Sequence, residues 1–129
     1  MKTNYKVAIA LVAGAAIGGA AIQGLHAQAK PIAYVVAEID VTNLEAFVKE
    51  YVPLATKALS DGGSGYKRVA IGKTVSIEGT PPKARVVINS FENMDKAIAA
   101  FNSPAYKEAR KIGDKYASSF RVIAIEAPQ

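Results

Sequence analysis

Hydropathy divides this chain into two unlike parts. Val7 to Ile22 is an unbroken run of 16 apolar or glycine residues, whereas from Ala33 onward apolar positions recur with short periods between polar ones. In AYVVAEIDV, residues 33–41, Ala33, Val35, Ala37, Ile39 and Val41 fall on one side, and Tyr34, Val36, Glu38 and Asp40 on the other. That alternation predicts a strand. Thr42-Asn43-Leu44-Glu45 has the form of a capping box, after which Leu44, Phe47, Val48, Tyr51, Leu54, Ala55, Ala58 and Leu59 recur at helical spacing. Pro53 lies inside this helix, lacks an amide donor and crowds the carbonyl of Lys49, which predicts a kink or a break. DGGSG, residues 61–65, ends the helix in a loop.

Strand and helix signals then repeat. Tyr66 to Ile71 reads as a strand, Thr74 to Glu78 as an extension or edge piece, and Gly79-Thr80-Pro81-Pro82 as a turn through which no strand continues. Ala84 to Phe91 is the next strand. Asn93 can cap a helix lined by Met94, Ala97, Ile98 and Phe101, and Ser103-Pro104 restarts a second helix running to about Ser118. Phe120 to Ala127 is the last strand. This order predicts an α+β fold, a ferredoxin-like βαββαβ sandwich with a four-stranded antiparallel sheet and its helices on one face. The other face is expected to carry Tyr34, Val36, Glu38 and Asp40, together with Arg85, Val87, Asn89 and Phe91. Such a mixed face suits a homodimer that closes two sheets around a cavity. It suits a solvated face with salt bridges across strands equally well.

The apolar run at the start changes the domain count. As a helix it would be roughly 24 Å long, short against a hydrocarbon core of about 30 Å. Lys2 and Lys6 precede it, and Ala27-Gln28-Ala29 places small residues at the positions a signal peptidase reads. Residues 1–29 are therefore expected to be a secretory signal cleaved after Ala29, or after Ala27, and residues 30–129 one domain. An uncleaved anchor pairing through Gly14 and Gly18 is the alternative. With cleavage the product is periplasmic or secreted, keeps no stable membrane anchor, and loses His26, the one histidine of the chain.

Lys2 and Lys6 also account for two units of the formal net charge of +5, so the remaining domain is only mildly basic. No basic stripe interleaves with aromatics, and nucleic acid is not an expected partner. The chain has no cysteine, which excludes disulfides, thiol catalysis and cysteine zinc sites; no metal or other cofactor is expected.

At this point the sequence resembles a known family. YVVAEIDVTNLEAFVKEYVP, EGTPPKARVVINSF and AFNSPAYKEAR are similar to the domain-of-unknown-function 1330 family, small proteins of the dimeric α+β barrel group. Asn102-Ser103-Pro104-Ala105-Tyr106, with Arg110 one turn later, is the most specific piece. The resemblance covers nearly all of residues 33–127 and implies a ferredoxin-like homodimer. The wider group includes cofactor-free monooxygenases and small-molecule isomerases, while the family itself brings no reaction. The chain departs from the family pattern at Ile71, Ser90 and Ala100, where relatives often carry arginine, glutamate and tryptophan.

The candidate chemistry is sparse. Glu38 and Asp40, two apart on one strand face, bring carboxyls roughly 6 to 7 Å apart and are the candidate catalytic pair. Tyr34, Arg85, Asn89, Asn102, Ser103, Tyr106 and Arg110 are the candidate ligand-binding residues. Lys107, Arg110, Lys111 and Lys115 form a basic stripe that Glu108 and Asp114 dilute, as on a solvated helix face. The expected function is a homodimeric small-molecule-binding or non-catalytic module. The alternative is a cofactor-independent isomerase or monooxygenase-like enzyme acting on a small aromatic or acidic metabolite through Tyr34, Glu38 or Asp40.

Overall fold

The structure is a computed structural model that describes residues 29–83 and 85–129. The expected signal segment up to residue 28, with Gly14, Gly18 and His26, lies outside the described residues. Among the described residues no helix is long and apolar enough to cross a membrane. Strands β1 (Ala33–Val41), β2 (Lys67–Ile71), β3 (Arg85–Phe91) and β4 (Ala117–Glu126) form one antiparallel sheet in the order β2-β3-β1-β4. The first helical layer is α1, three consecutive segments: an α-turn Leu44–Ala46, a π-turn Phe47–Tyr51 and an α-helix Val52–Ser60. Helices α2 (Met94–Asn102) and α3 (Pro104–Gly113) complete it. The result is the expected α+β ferredoxin-like sandwich.

Local chemistry sets most boundaries. The cap of α1 falls on Asn43, one residue later than the pattern indicates; its side chain accepts from the Ala46 amide at 3.1 Å, while the Thr42 amide donates to the Tyr116 carbonyl at 2.8 Å. Pro53 causes no break. The Val52 amide donates to the Phe47 carbonyl, five residues back, so the widened π-turn absorbs the missing donor and the backbone stays helical. Asn93 and Ser103 cap α2 and α3 as expected, accepting from the amides of Lys96 at 3.0 Å and Tyr106 at 3.2 Å. Thr74 to Glu78 forms no strand. Helix α3 stops at Gly113 rather than near Ser118, because the turn at Lys115 and Tyr116 returns the chain to pair with the end of β1, where Ala117 lies opposite Val41.

The sheet register decides which side chains the helices cover. Ala33, Val35, Ala37 and Ile39 of β1 are buried beneath the helices. Across the ladder Ala33 faces Phe91, Val35 faces Asn89, Ala37 faces Val87 and Ile39 faces Arg85. Directly opposed residues share a face, so Arg85, Val87, Asn89 and Phe91 point toward the helices. This overturns their expected place on the open face. That face carries Val86, Ile88 and Ser90 of β3 opposite Glu38, Val36 and Tyr34, and Arg121, Ile123 and Ile125 of β4 opposite the same three.

Aromatic rings fill the space between sheet and helices. Phe47 packs on Tyr51 with ring centroids 4.7 Å apart, and Phe120 of β4 lies 5.7 Å from Tyr51 and 6.1 Å from Phe47. The hydroxyls of Tyr51 and Tyr106 meet at 3.3 Å and join α1 to α3. Burial pushes the pKa of both hydroxyls above the ordinary tyrosine value near 10. For Tyr51 the Tyr106 neighbour adds to the rise; for Tyr106 the same hydrogen bond and Arg110 partly offset it. Gly113 makes the close approach possible, since a Cβ there would stand 2.9 Å from Tyr51 Cδ2 and 3.0 Å from Phe120 Cζ.

Two consequences can be measured. Gly113→Ala forces two packed rings to shift, and urea unfolding is expected to show a loss of about 1–3 kcal/mol. The raised tyrosine pKa values make the fold alkali-sensitive, because the unfolded chain ionises near pH 10 while the folded hydroxyls stay neutral. Their contribution is whole below about pH 10 and declines above it, by up to about 1.4 kcal/mol per pH unit for each tyrosine. Tyr51→Phe is expected to flatten that alkaline slope in melting curves recorded between neutral and strongly basic pH.

Candidate functional site

A cavity opens between the inner sheet face and the helices. Ala37, Ile39, Val87 and Val122 form its floor, and Phe47, Tyr51, Ala55, Leu59, Phe101, Tyr106 and Phe120 its walls, with Arg68, Arg85 and Asn89 as polar lining. Its volume is about 50 Å³, within about 470 Å³ of atom-free space counting the open mouth. A wider hollow of about 530 Å³ lies along β2 beside Val69, Val86 and Ile88. That hollow is a shallow stretch of edge strand, whereas the inner cavity holds buried polar atoms.

Those polar atoms are where the sheet departs from an apolar core. Asn89 is 4% exposed, and its Oδ1 accepts no hydrogen bond. Arg85 Nε is likewise buried and donates to nothing. The Arg85 guanidinium stands over the Phe47 ring at 5.6 Å from the centroid. Its pKa is lowered, first by burial and then by the nearby positive charge of Arg68, an effect Tyr51 partly offsets. Arg68 enters from β2 opposite Asn89, and its Nη2 donates to the Tyr66 hydroxyl at 2.9 Å and to Thr56 Oγ1 at 3.2 Å. Both acceptors are neutral.

The other candidate residues fall into separate places. Glu38 and Asp40 share a face as expected, but it is the open sheet face, where Glu38 accepts from Arg121 at 3.3 Å and Asp40 faces Lys83 at 3.8 Å. Tyr34 is on the same face, at its apolar end. Ser103 is occupied as a cap, donating to the Ala100 carbonyl at 2.8 Å. Asn102 borders a shallow hollow beside Phe101 and Ala124. Arg110 lies flat over Phe120, 3.4 Å from its centroid, and pairs with Asp114. Only Arg85, Asn89 and Tyr106 meet in one cavity. Tyr51 and Arg68 complete it; neither was singled out from the sequence, because a helical tyrosine reads as core and an arginine on an edge strand reads as solvated. Among the described residues no group of three or more histidine, cysteine, aspartate or glutamate side chains could hold a metal ion.

Comparison with known proteins gives the fold a family. No curated protein sequence matches the chain significantly. Among solved structures it is similar to a protein of unknown function from Rhodopseudomonas palustris, with a TM-score of 0.55 and 13% identity over 84% of this chain and 92% of that one. It is also similar to SnoaB, a cofactor-independent oxygenase from Streptomyces nogalater, with a TM-score of 0.55 and 11% identity over 77% and 95%. A dimeric ferredoxin-like protein of unknown function from Thermobifida fusca gives 0.53 and 14% over 76% and 92%. At these identities the likeness is one of fold. The sequence profile of the family described as "Domain of unknown function (DUF1330)" matches residues 32–128, and the chain belongs to that family.

Proposed function

We propose that this protein is an exported, homodimeric small-molecule-binding protein whose ligand occupies the cavity between helices and sheet. The observation that carries this reading is the unmatched Asn89 Oδ1 in a mainly aromatic and aliphatic cavity that also carries Arg68, Arg85 and Thr56. A buried acceptor without a donor costs about 1–3 kcal/mol, and a bound ligand is the means of recovering it. Among the described residues the cavity lining includes no carboxylate, imidazole or primary amine, and its tyrosine hydroxyls are held neutral by burial. It offers donors, acceptors and apolar surface rather than a base, which favours binding over the isomerase or oxygenase alternative.

The open sheet face supports the dimer. Tyr34, Val36, Ile88, Ile123 and Ile125 lie together by register, with Ile123 and Ile125 49% and 62% exposed. The paired charges of Glu38 with Arg121 and Asp40 with Lys83 lie at the other end. A contiguous apolar sheet face of this kind is what a second copy covers. The dimeric state of the Thermobifida fusca protein is consistent with that arrangement.

Asn89→Leu tests the binding reading. Removing an unmatched polar group is expected to raise unfolding stability by about 1–3 kcal/mol, while any small molecule seen in native mass spectra of protein recovered from cell extract disappears. A destabilised variant, or wild-type protein that carries no molecule, would count against a ligand site. Light scattering of the wild type is expected to give a dimer, and intact mass of its subunit a chain starting at Lys30. Ile123→Asp, which buries a charge in the proposed interface, is expected to give monomer; a wild-type monomer at tens of micromolar would remove the dimer.

A further inference from the structure

The charge inventory of the cavity narrows the ligand beyond "small molecule", an inference that rests on the binding reading above. Arg68 and Arg85 both line it, and among the described residues no acidic side chain does. Asp114, the acid that acts on the two cavity tyrosines, is paired with Arg110, and Glu38 and Asp40 lie on the opposite face of the sheet, paired with Arg121 and Lys83. Arg68 is oriented by two neutral oxygens, of Tyr66 and Thr56, which hold its guanidinium without neutralising it. Arg85 is the less satisfied of the two, because its Nε is buried and bonded to nothing while its guanidinium carbon stands over the Phe47 ring at 5.6 Å from the centroid. Two cations, with Arg68 close enough to disfavour the charge of Arg85 and no counter-charge among the described lining residues, form a receptor for an anion.

We infer that the cavity binds a small aromatic carboxylate bearing a hydroxyl or amine donor, with Arg85 as the anchor of the carboxylate. The shape of a guanidinium selects this chemistry, since a carboxylate accepts from two of its N–H groups at once. The enclosed 50 Å³ is too small for an aromatic ring, which takes about 150 Å³, so a flat apolar body lies in the open mouth, within the 470 Å³ of atom-free space bordered by the rings of Phe47, Tyr51, Phe101 and Phe120. Asn89 Oδ1, buried and without a donor, accepts from the ligand's own hydroxyl or amine. Val87 separates Asn89 from Arg85 along the inner face of β3, so the two polar contacts lie at different ends of the ligand.

Isothermal titration of the protein as exported with 4-hydroxybenzoate and with its methyl ester tests the inference, because the pair differs in charge while keeping ring and hydroxyl. The acid is expected to bind at least about 10-fold more tightly than the ester, the order expected for a charge-assisted bond. Arg85→Met, checked for an unchanged melting profile, is expected to erase that preference, and Arg68→Gln, at an edge strand, to weaken it. An ester that binds as well as the acid, or a preference that survives Arg85→Met, would overturn the carboxylate assignment and leave a ligand cavity in place. Should neither compound bind, the assignment also fails. A native mass spectrum that still shows a retained molecule would then leave the general binding reading standing, and a bare protein would remove both.

Discussion

Everything in this fold depends on the register of β1 against β3. Ala33 opposite Phe91, Val35 opposite Asn89 and Ala37 opposite Val87 bring one set of side chains beneath the helices. Because side chains alternate, a slip of one residue would turn the whole set outward. The register is pinned by apolar pairs at one end, Ala33 and Phe91 being 0% and 1% exposed, and by loop contacts beyond them. The Glu92 amide donates to the Ser64 carbonyl at 3.0 Å. The Ser64 hydroxyl in turn donates to the Leu59 carbonyl at 2.6 Å, tying the end of α1 to the end of β3. Gly65 makes room for that junction: its φ is +69°, and a Cβ would stand 2.9 Å from Glu92 Cβ.

The same register explains what could be read from the sequence and what could not. β1 was legible because its alternation is nearly pure, Ala33, Val35, Ala37 and Ile39 against Tyr34, Glu38 and Asp40. The helix starts were legible because Asn93 and Ser103 are caps whose chemistry is local. β3 misled, since its inner set contains Arg85 and Asn89 and its outer set Val86 and Ile88, the reverse of an ordinary half-buried strand. A sequence pattern fails in this way where a site overrides the core. Its failure at Arg85 and Asn89 therefore points to the same residues that the buried, unmatched atoms single out. The end of α3 was missed for a different reason, because only pairing with β1 tells the chain to turn at Gly113.

The cavity is held open by its own walls. Much of the core is alanine, including Ala37, Ala55, Ala58, Ala97, Ala100 and Ala109, and a core of small residues ordinarily draws its layers together. Here the rings of Phe47, Tyr51, Phe101, Tyr106 and Phe120 stand between sheet and helices and contact one another at centroid distances of 4.7 to 6.1 Å. Rings packed in tilted and edge-to-face contacts cannot collapse into the remaining space without losing them. The π-turn contributes directly, because both of its buried residues, Phe47 and Tyr51, are cavity walls. Pro53 thus does more than interrupt a hydrogen-bond pattern: the widening it is associated with places two of the rings that keep the cavity from closing.

Such a site is costly in a domain of this size. The helices cover the central strands, while β2 and β4 remain largely exposed, so the stabilisation available from burial is modest. Against it stand a partly buried guanidinium without a counter-charge and a buried amide oxygen without a donor. Both could be removed by apolar residues of similar size, which in general leaves a protein as stable or more so. Retaining them makes physical sense if something outside the chain completes their bonding, and burial of the open face against a second copy offsets part of their cost. The unmatched polar atoms and the uncovered sheet are then two halves of one economy, in which a ligand and a partner supply what this small core lacks.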